Sequence, residues 1–153
     1  AAAQTLTNKT LTSPVLNTGV SGTALAVQSD QETGTSTTKI VTTGMQKFHS
    51  SAAKAWTLAD YAGALVDSYN ISSVTDGGTG IQTFNFTVAF SSANYSTVAT
   101  GQLDAVGSAA TTVIAQIHAT AKTSSACRVD TLIASTFVGA DASKMNFAAY
   151  GDQ

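Results

Sequence analysis

Few residues of this 153-residue chain could do chemistry. There are two histidines, His49 and His118, one cysteine, Cys127, one glutamate, Glu32, and a scatter of aspartates. A metal site would need three copies of one histidine brought to a common axis, giving trigonal or octahedral geometry. His49, at the junction between two differently composed segments, is the candidate axial ligand. His118 lies beside Gln116 and Thr120 on the polar side of an alternating stretch and reads as exposed or hydrogen-bonded. Cys127 has no partner for an intrachain disulfide or a Cys-based zinc site. It reads as a small buried apolar residue, with Arg128 the only local feature that could lower its pKa.

Cleavage of a glycosidic bond needs two carboxyl groups facing each other across it. Asp30, Asp60, Asp67, Asp76, Asp104, Asp130, Asp141 and Asp152 are spread along the chain, mostly at expected turns, where Asp bonds to nearby backbone. No Gly-x-Ser-x-Gly elbow, phosphate-cradling Gly loop or His-Glu-x-x-His is present. No catalytic, cofactor or metal residue is therefore assigned, and the chain is not expected to be an enzyme. Asn-x-Ser/Thr triplets at Asn8, Asn70, Asn85 and Asn94 read as accidental in so Asn-, Ser- and Thr-rich a sequence.

Composition narrows the function classes. Only 10% of residues are charged and 43% are hydrophobic, so the surface must be built largely from Thr, Ser, Gly, Asn and Ala. A net charge of −2 and a pI near 5.4 give no electrostatic footprint for nucleic acid or an anionic membrane. No run of about 20 apolar residues offers a spanning helix. The chain starts at Ala1 with no initiator Met, as expected of a processed chain or a piece of a longer one.

Positioning elements divide at residues 44–56. Every aromatic lies at or after Phe48. Before it the aliphatics come singly or in pairs: Leu6, Leu11, Val15, Leu16, Val20, Leu25, Val27, Ile40 and Val41. So few apolar side chains cannot offset the backbone entropy of ordering the segment alone. It is either a disordered linker or is ordered by identical copies on a shared axis. The Thr-Leu-Thr units at 5–7 and 10–12 and the Gly19 and Gly22 turns favour the second. Residues 28–39 read as linker or loop.

From residue 52 the pattern is all-β. Residues 81–90 place Phe84, Phe86, Val88 and Phe90 on one face, the period-2 signature of a half-buried strand. The Asp76-Gly77-Gly78 and Gly80 turn makes a hairpin with 67–74, read as one strand with Tyr69, Ile71 and Ser73 on one face. Further strands are expected at 96–103, 111–121, 126–135 and 144–150. Residues 50–69 could form a helix, but Lys54–Leu58 reads better as a strand around Trp56, followed by a loop over 59–64.

The segment "TLTNKTLTSPVLNTG" resembles a short repeat of tail-fibre and other appendage proteins of tailed bacteriophages. A longer stretch, residues 32–96, is similar to a phage virion module with a Lys-small-Trp core (Lys54, Trp56), a Ser-Tyr-Asn-x-Ser-Ser-x-Thr-Asp string (68–76), a Gly-Thr-Gly turn (78–80) and an aromatic strand. Residues 57–65 and Ser50, often Pro in the module, depart from it. The resemblance implies a homotrimeric fibre protein of the virion. Residues 1–50 would form an extended shaft or trimerisation segment, and residues 51–153 an antiparallel, jelly-roll-like β-sandwich head. Its expected partners are its own copies, other virion proteins, and a host surface polysaccharide or outer-membrane protein, with no nucleic acid and no membrane insertion. The expected function is multivalent attachment to a bacterial receptor. A purely structural head fibre, decoration protein or trimerising cap is the alternative, and a bacterial adhesin or pilin-like subunit a third. Receptor contacts are expected in loops at one end of the sandwich, 91–95, 103–110, 122–126 and 137–144; Tyr95 and Asp104 are the side chains best suited to a sugar but read equally well as structural, so no receptor-binding residue is assigned.

Overall fold

The aromatic alternation of residues 81–86 marks the centre of the molecule. In the computed structural model, which describes residues 25–103 and 113–153, Phe84 is fully buried and stacks on Phe147 from the opposite sheet, centroids 4.5 Å apart. Two four-stranded antiparallel sheets face each other around this pair. One has the order β2-β1-β8-β5, from Leu65–Tyr69, Ala55–Asp60, Lys144–Tyr150 and Ser96–Gln102. The other has the order β3-β4-β7-β6, from Ile71–Asp76, Ile81–Phe86, Ala126–Ile133 and Val113–Lys122. The expected antiparallel sandwich is thus present. Three connections, β1–β2, β3–β4 and β6–β7, stay within a sheet, whereas a jelly roll wraps as paired Greek keys that mostly alternate between sheets. The jelly-roll expectation is corrected to three hairpins and two single strands.

Size complementarity fills the interior. One sheet contributes Phe84, Phe86, Cys127 and Val129, and the other sets small Ala55, Ala59 and Ala149 around Phe147 and Met145. The alanine richness of the chain is partly this: small residues opposite large ones let the layers interdigitate at crystal-like density. Burying each Phe contributes about 1.5–3 kcal/mol.

Residues 67–74 are not one strand. Asn70, at φ 56°, turns the chain from β2 in one sheet into β3 in the other. Asn is among the few residues that tolerate this left-handed conformation. Beyond the corner, Ile71 pairs with Phe86 and Ser73 with Asn85, so Ser72 is an extra residue in a β-bulge. The phase resets there, and Ile71 and Val74 both face the core.

Two other boundaries differ from expectation. β1 runs to Asp60, inside the expected loop. β4 stops at Phe86, because the next N–H groups, of Thr87 and Val88, bond to the Asn70 carbonyl and side chain instead of a ladder. Val88 is consequently exposed while Phe90 returns to the core.

Residues 28–39, read as linker or loop, contain a helix, α1, at Gln28–Thr33; a second, α2, spans Thr43–Gln46. The Asp30 carboxylate explains the first. It accepts the Val27 N–H at 2.8 Å, satisfying a donor at the helix start, and pairs with Lys39 at 2.7 Å. Gly34, left-handed at φ 62°, closes the C-terminus. The Lys39 ammonium, then the Val27 N–H, hold the Asp30 carboxyl below its usual range. The Thr-Leu-Thr units, Leu6 and Leu11 lie outside the described residues.

Candidate interaction surface

Several of the residues on which the expected virion resemblance rests are occupied by the fold. Lys54 is buried, and its ammonium donates to the carbonyls of Lys47 and His49, tying the preceding turn to the start of β1. Burial lowers the Lys54 pKa, while Asp152 and Glu32 pull it upward. Asn70 Nδ2 donates to the carbonyls of Lys54 (3.0 Å) and Val88 (3.1 Å), and its Oδ1 accepts the Val88 N–H at 2.7 Å. Asp76 accepts the Gly78 N–H. Gly80 donates its N–H to Asp141 and accepts from the Thr131 N–H.

Tyr95, suited by its type either to a sugar or to a structural role, belongs to the same set. It is only 3% exposed, its hydroxyl sits 2.9 Å from the Thr123 carbonyl and 3.0 Å from that of Ala126, and the Lys122 ammonium covers its ring at 4.3 Å. A side chain used on both sides has no face left for a ligand. Asp104 lies outside the described residues.

Cys127 is fully buried, as expected, and burial pushes its thiol up. Arg128 does not act on it, since alternate strand residues face opposite ways. Arg128 points outward and pairs with Asp130 at 2.6 Å. Burial raises the Tyr95 hydroxyl likewise. Both acids hold their protons more tightly when folded. The unfolded chain releases them from the ordinary values of 9.0 for the thiol and 10.0 for the phenol. Stability should therefore fall as pH rises past 9 and fall more steeply past 10. Lys54, whose folded pKa is lowered, acts in the opposite direction below its ordinary 10.5. Denaturant titrations at pH 8, 9.5 and 10.5 check this, and Cys127→Ala should flatten the slope between pH 9 and 10 whatever its effect on absolute stability.

The remaining chemistry-capable residues do not converge. His49 is exposed, with Nδ1 2.7 Å from the Ser51 hydroxyl, and His118 sits on β6 beside the Thr120 hydroxyl. Among the described residues no group of three His, Cys, Asp or Glu could hold a metal. Asp60 and Asp141 are engaged in turns, Asp60 accepting the N–H groups of Ala62 and Ala64. The expected recognition loops are split between the two ends of the sandwich. Residues 91–95 and 122–126 meet at one end, where Phe90 bonds to Ser124 and Ser91 to Asp152. Residues 137–144 pack at the other, against Gly80 and Thr131. Residues 104–110 lie outside the described residues.

Phe137 stands out in that second group. It is 69% exposed and left-handed at φ 56°, a conformation that strains a bulky side chain by about 1–2 kcal/mol. Phe137→Gly should change stability by less than about 1 kcal/mol in denaturant titration, since the strain it relieves is offset by the greater freedom of Gly in the unfolded chain and by the loss of the ring's partial burial.

What is left is the contrast between the two outer sheet faces. That of β3-β4-β7-β6 is polar over much of its area, where Asn85 donates to Ser73 and Thr75 and Arg128 pairs with Asp130, and it also carries the half-buried Ile81, Ile114 and Leu132. The outer face of β2-β1-β8-β5 is different. Register places Tyr69, Trp56, Ala148 and Val98 in one row across it, and Asp67, Leu58, Asn146 and Thr100 in the next. Trp56 is 38% and Val98 56% exposed. With Ala148 as a low floor between them, they border a groove of about 420 Å³. A second cleft, of about 300 Å³, lies at the Asn70 end between Phe48, Tyr69 and Val88, with Lys47, Glu32 and Asp152 giving it charges of both signs.

Sequence reasoning missed this surface. Trp56 was legible as a strand residue, but nothing local said that it faces outward. No family model matches the chain, and no curated protein or solved structure is similar to it.

Proposed function

We propose that this chain is the receptor-facing part of a tailed-bacteriophage fibre, a homotrimer that attaches the virion to a bacterial surface without covalent chemistry. The observation that carries the reading is the row of exposed Tyr69, Trp56 and Val98 bordering a groove on one outer sheet face. An exposed apolar patch rimmed by polar residues is what an interaction site presents. The resemblance of residues 5–19 and 32–96 to virion proteins supplies the setting. In this reading three identical heads joined in one trimer strengthen weak single-site binding by effective concentration.

A purely structural role in the virion is favoured by one fact: the resemblance-bearing residues Lys54, Asn70, Asp76 and Gly80 all serve the fold. Binding of the labelled chain to a panel of intact bacteria separates the two, with competition against adsorption of the phage. Val98→Glu should lower cell binding at least tenfold while leaving stability within about 0.5 kcal/mol, as for other exposed positions. Equal binding by the variant, or no binding to any strain, removes the attachment reading. Sedimentation equilibrium should give three times 15.5 kDa; a monomer at every concentration removes the fibre.

A further inference from the structure

We infer that the groove on the outer face of β2-β1-β8-β5 is a saccharide site whose ligand is a neutral sugar unit stacked on Trp56. The inference rests on the attachment reading for its biological setting and on the groove alone for its chemistry. A pyranose has a face of C–H groups and a rim of hydroxyls, each both donor and acceptor. The groove offers the complement in two adjacent rows. Trp56, Ala148 and Val98 form the apolar row, and Asp67, Asn146 and Thr100 supply the polar groups of the next, with Leu58 between Asp67 and Asn146. Two residues along a strand separate the rows by about 7 Å, so a ring lying on the first directs hydroxyls at the second.

The polar row has hydrogen-bonding capacity to spare. Asp67 uses one carboxylate oxygen on the Ser68 N–H at 2.8 Å, which leaves the other as an acceptor. Asn146 donates to the Thr100 hydroxyl at 3.3 Å, which leaves the Asn146 carbonyl as acceptor and the Thr100 O–H as donor. An apolar pocket with a few convergent polar groups is the usual form of a small-molecule site.

Charge selects among occupants. Among the described residues Asp67 is the one charged group lining the groove, so an acidic sugar would meet a like charge. A face-to-face contact with a second copy fits less well. In a two-fold contact the same patch supplies both sides, so it brings no cation to Asp67 while stripping water from the whole polar row.

Trp56 is the only tryptophan, so its emission reports this groove and no other place. The full chain is titrated with malto-, cello-, manno-, galacto- and N-acetylglucosamine oligosaccharides, with polygalacturonate as acidic control. A saturable emission change with at least one neutral probe is expected, and none with the acid. In calorimetry, Asn146→Ala with Thr100→Ala should weaken that probe at least tenfold at unchanged circular dichroism. If no neutral probe responds while the chain binds cells and Val98→Glu abolishes that binding, the saccharide assignment falls and attachment stands. If Val98→Glu binds cells normally yet the sugar titration succeeds, attachment through this face falls and the sugar site stands. An emission shift on dilution without sugar, together with a falling mass, would show the groove filled by a second copy and overturn the proposal.

Discussion

Gly80→Ala is expected to lose at least about 4 kcal/mol, a large share of the 5–15 kcal/mol typical of a domain. Gly80 sits at φ +74°, and a Cβ there would stand 2.4 Å from the Thr131 carbonyl oxygen and 2.7 Å from the Ala140 nitrogen. Those are backbone atoms, held by their own bonds: Ala140 N–H to the Thr131 carbonyl, and the Thr131 hydroxyl to the Ala140 carbonyl at 2.6 Å. Nothing flexible is available to move. Pushing the strands apart would also break the Thr131 N–H bond to the Gly80 carbonyl at 2.7 Å and the Gly80 N–H bond to Asp141. Circular dichroism and denaturant titration check it. Gly78→Ala is the control, since Gly78 shares the positive φ but has open space where a Cβ would go; it should lose about 1 kcal/mol, the left-handed strain alone.

Asn70→Ala should cost about 3–4 kcal/mol. Three side-chain hydrogen bonds vanish, each contributing about 1 kcal/mol, and alanine adopts the left-handed corner at about 1 kcal/mol more. Asn70→Gly separates the terms, because it keeps the backbone freedom and loses only the bonds, for about 2–3 kcal/mol. Equal stability of the two variants would mean that the corner is not left-handed in solution. Asn70→Asp should be worse than Gly, since it sets a carboxylate oxygen against the Lys54 and Val88 carbonyls. The site matters to function only through the fold. Asn70 is where the chain leaves the Trp56 sheet, so loosening it frees the edge strand β2, which bears Asp67 and Tyr69.

The two variants test the framework, whereas Val98→Glu and the Asn146/Thr100 pair test the surface. The recognisable string of the sequence and the proposed working surface meet in Trp56 and Tyr69 and otherwise use different residues. Lys54 and Trp56 are two apart on one segment, and one is a buried fastener while the other borders a groove.

Local sequence carried a good part of this architecture. The alternation of Phe84 and Phe86, the Asp76–Gly80 turn, the strands around residues 96–102, 113–122, 126–133 and 144–150, and the burial of Cys127 were all legible, because period-2 patterning and glycine turn chemistry act over a few residues. α1 was not, because its Asp30 is secured by Lys39, nine residues on. The 67–74 segment was misread for a related reason: a corner and a bulge each shift the phase by one residue, and neither leaves a mark in the alternation.

The orientation of β1 could be decided only in three dimensions. On periodicity alone Trp56 and Leu58 should face the core and Ala55, Thr57 and Ala59 the solvent. The reverse holds, because Phe84, Phe86 and Phe147 already fill the space between the sheets and leave room only for small side chains opposite. Thr57 is accepted inside because its hydroxyl reaches the Asp67 carbonyl at 2.8 Å. Packing volume thus turned the one tryptophan outward, onto the face where this protein has a groove to offer.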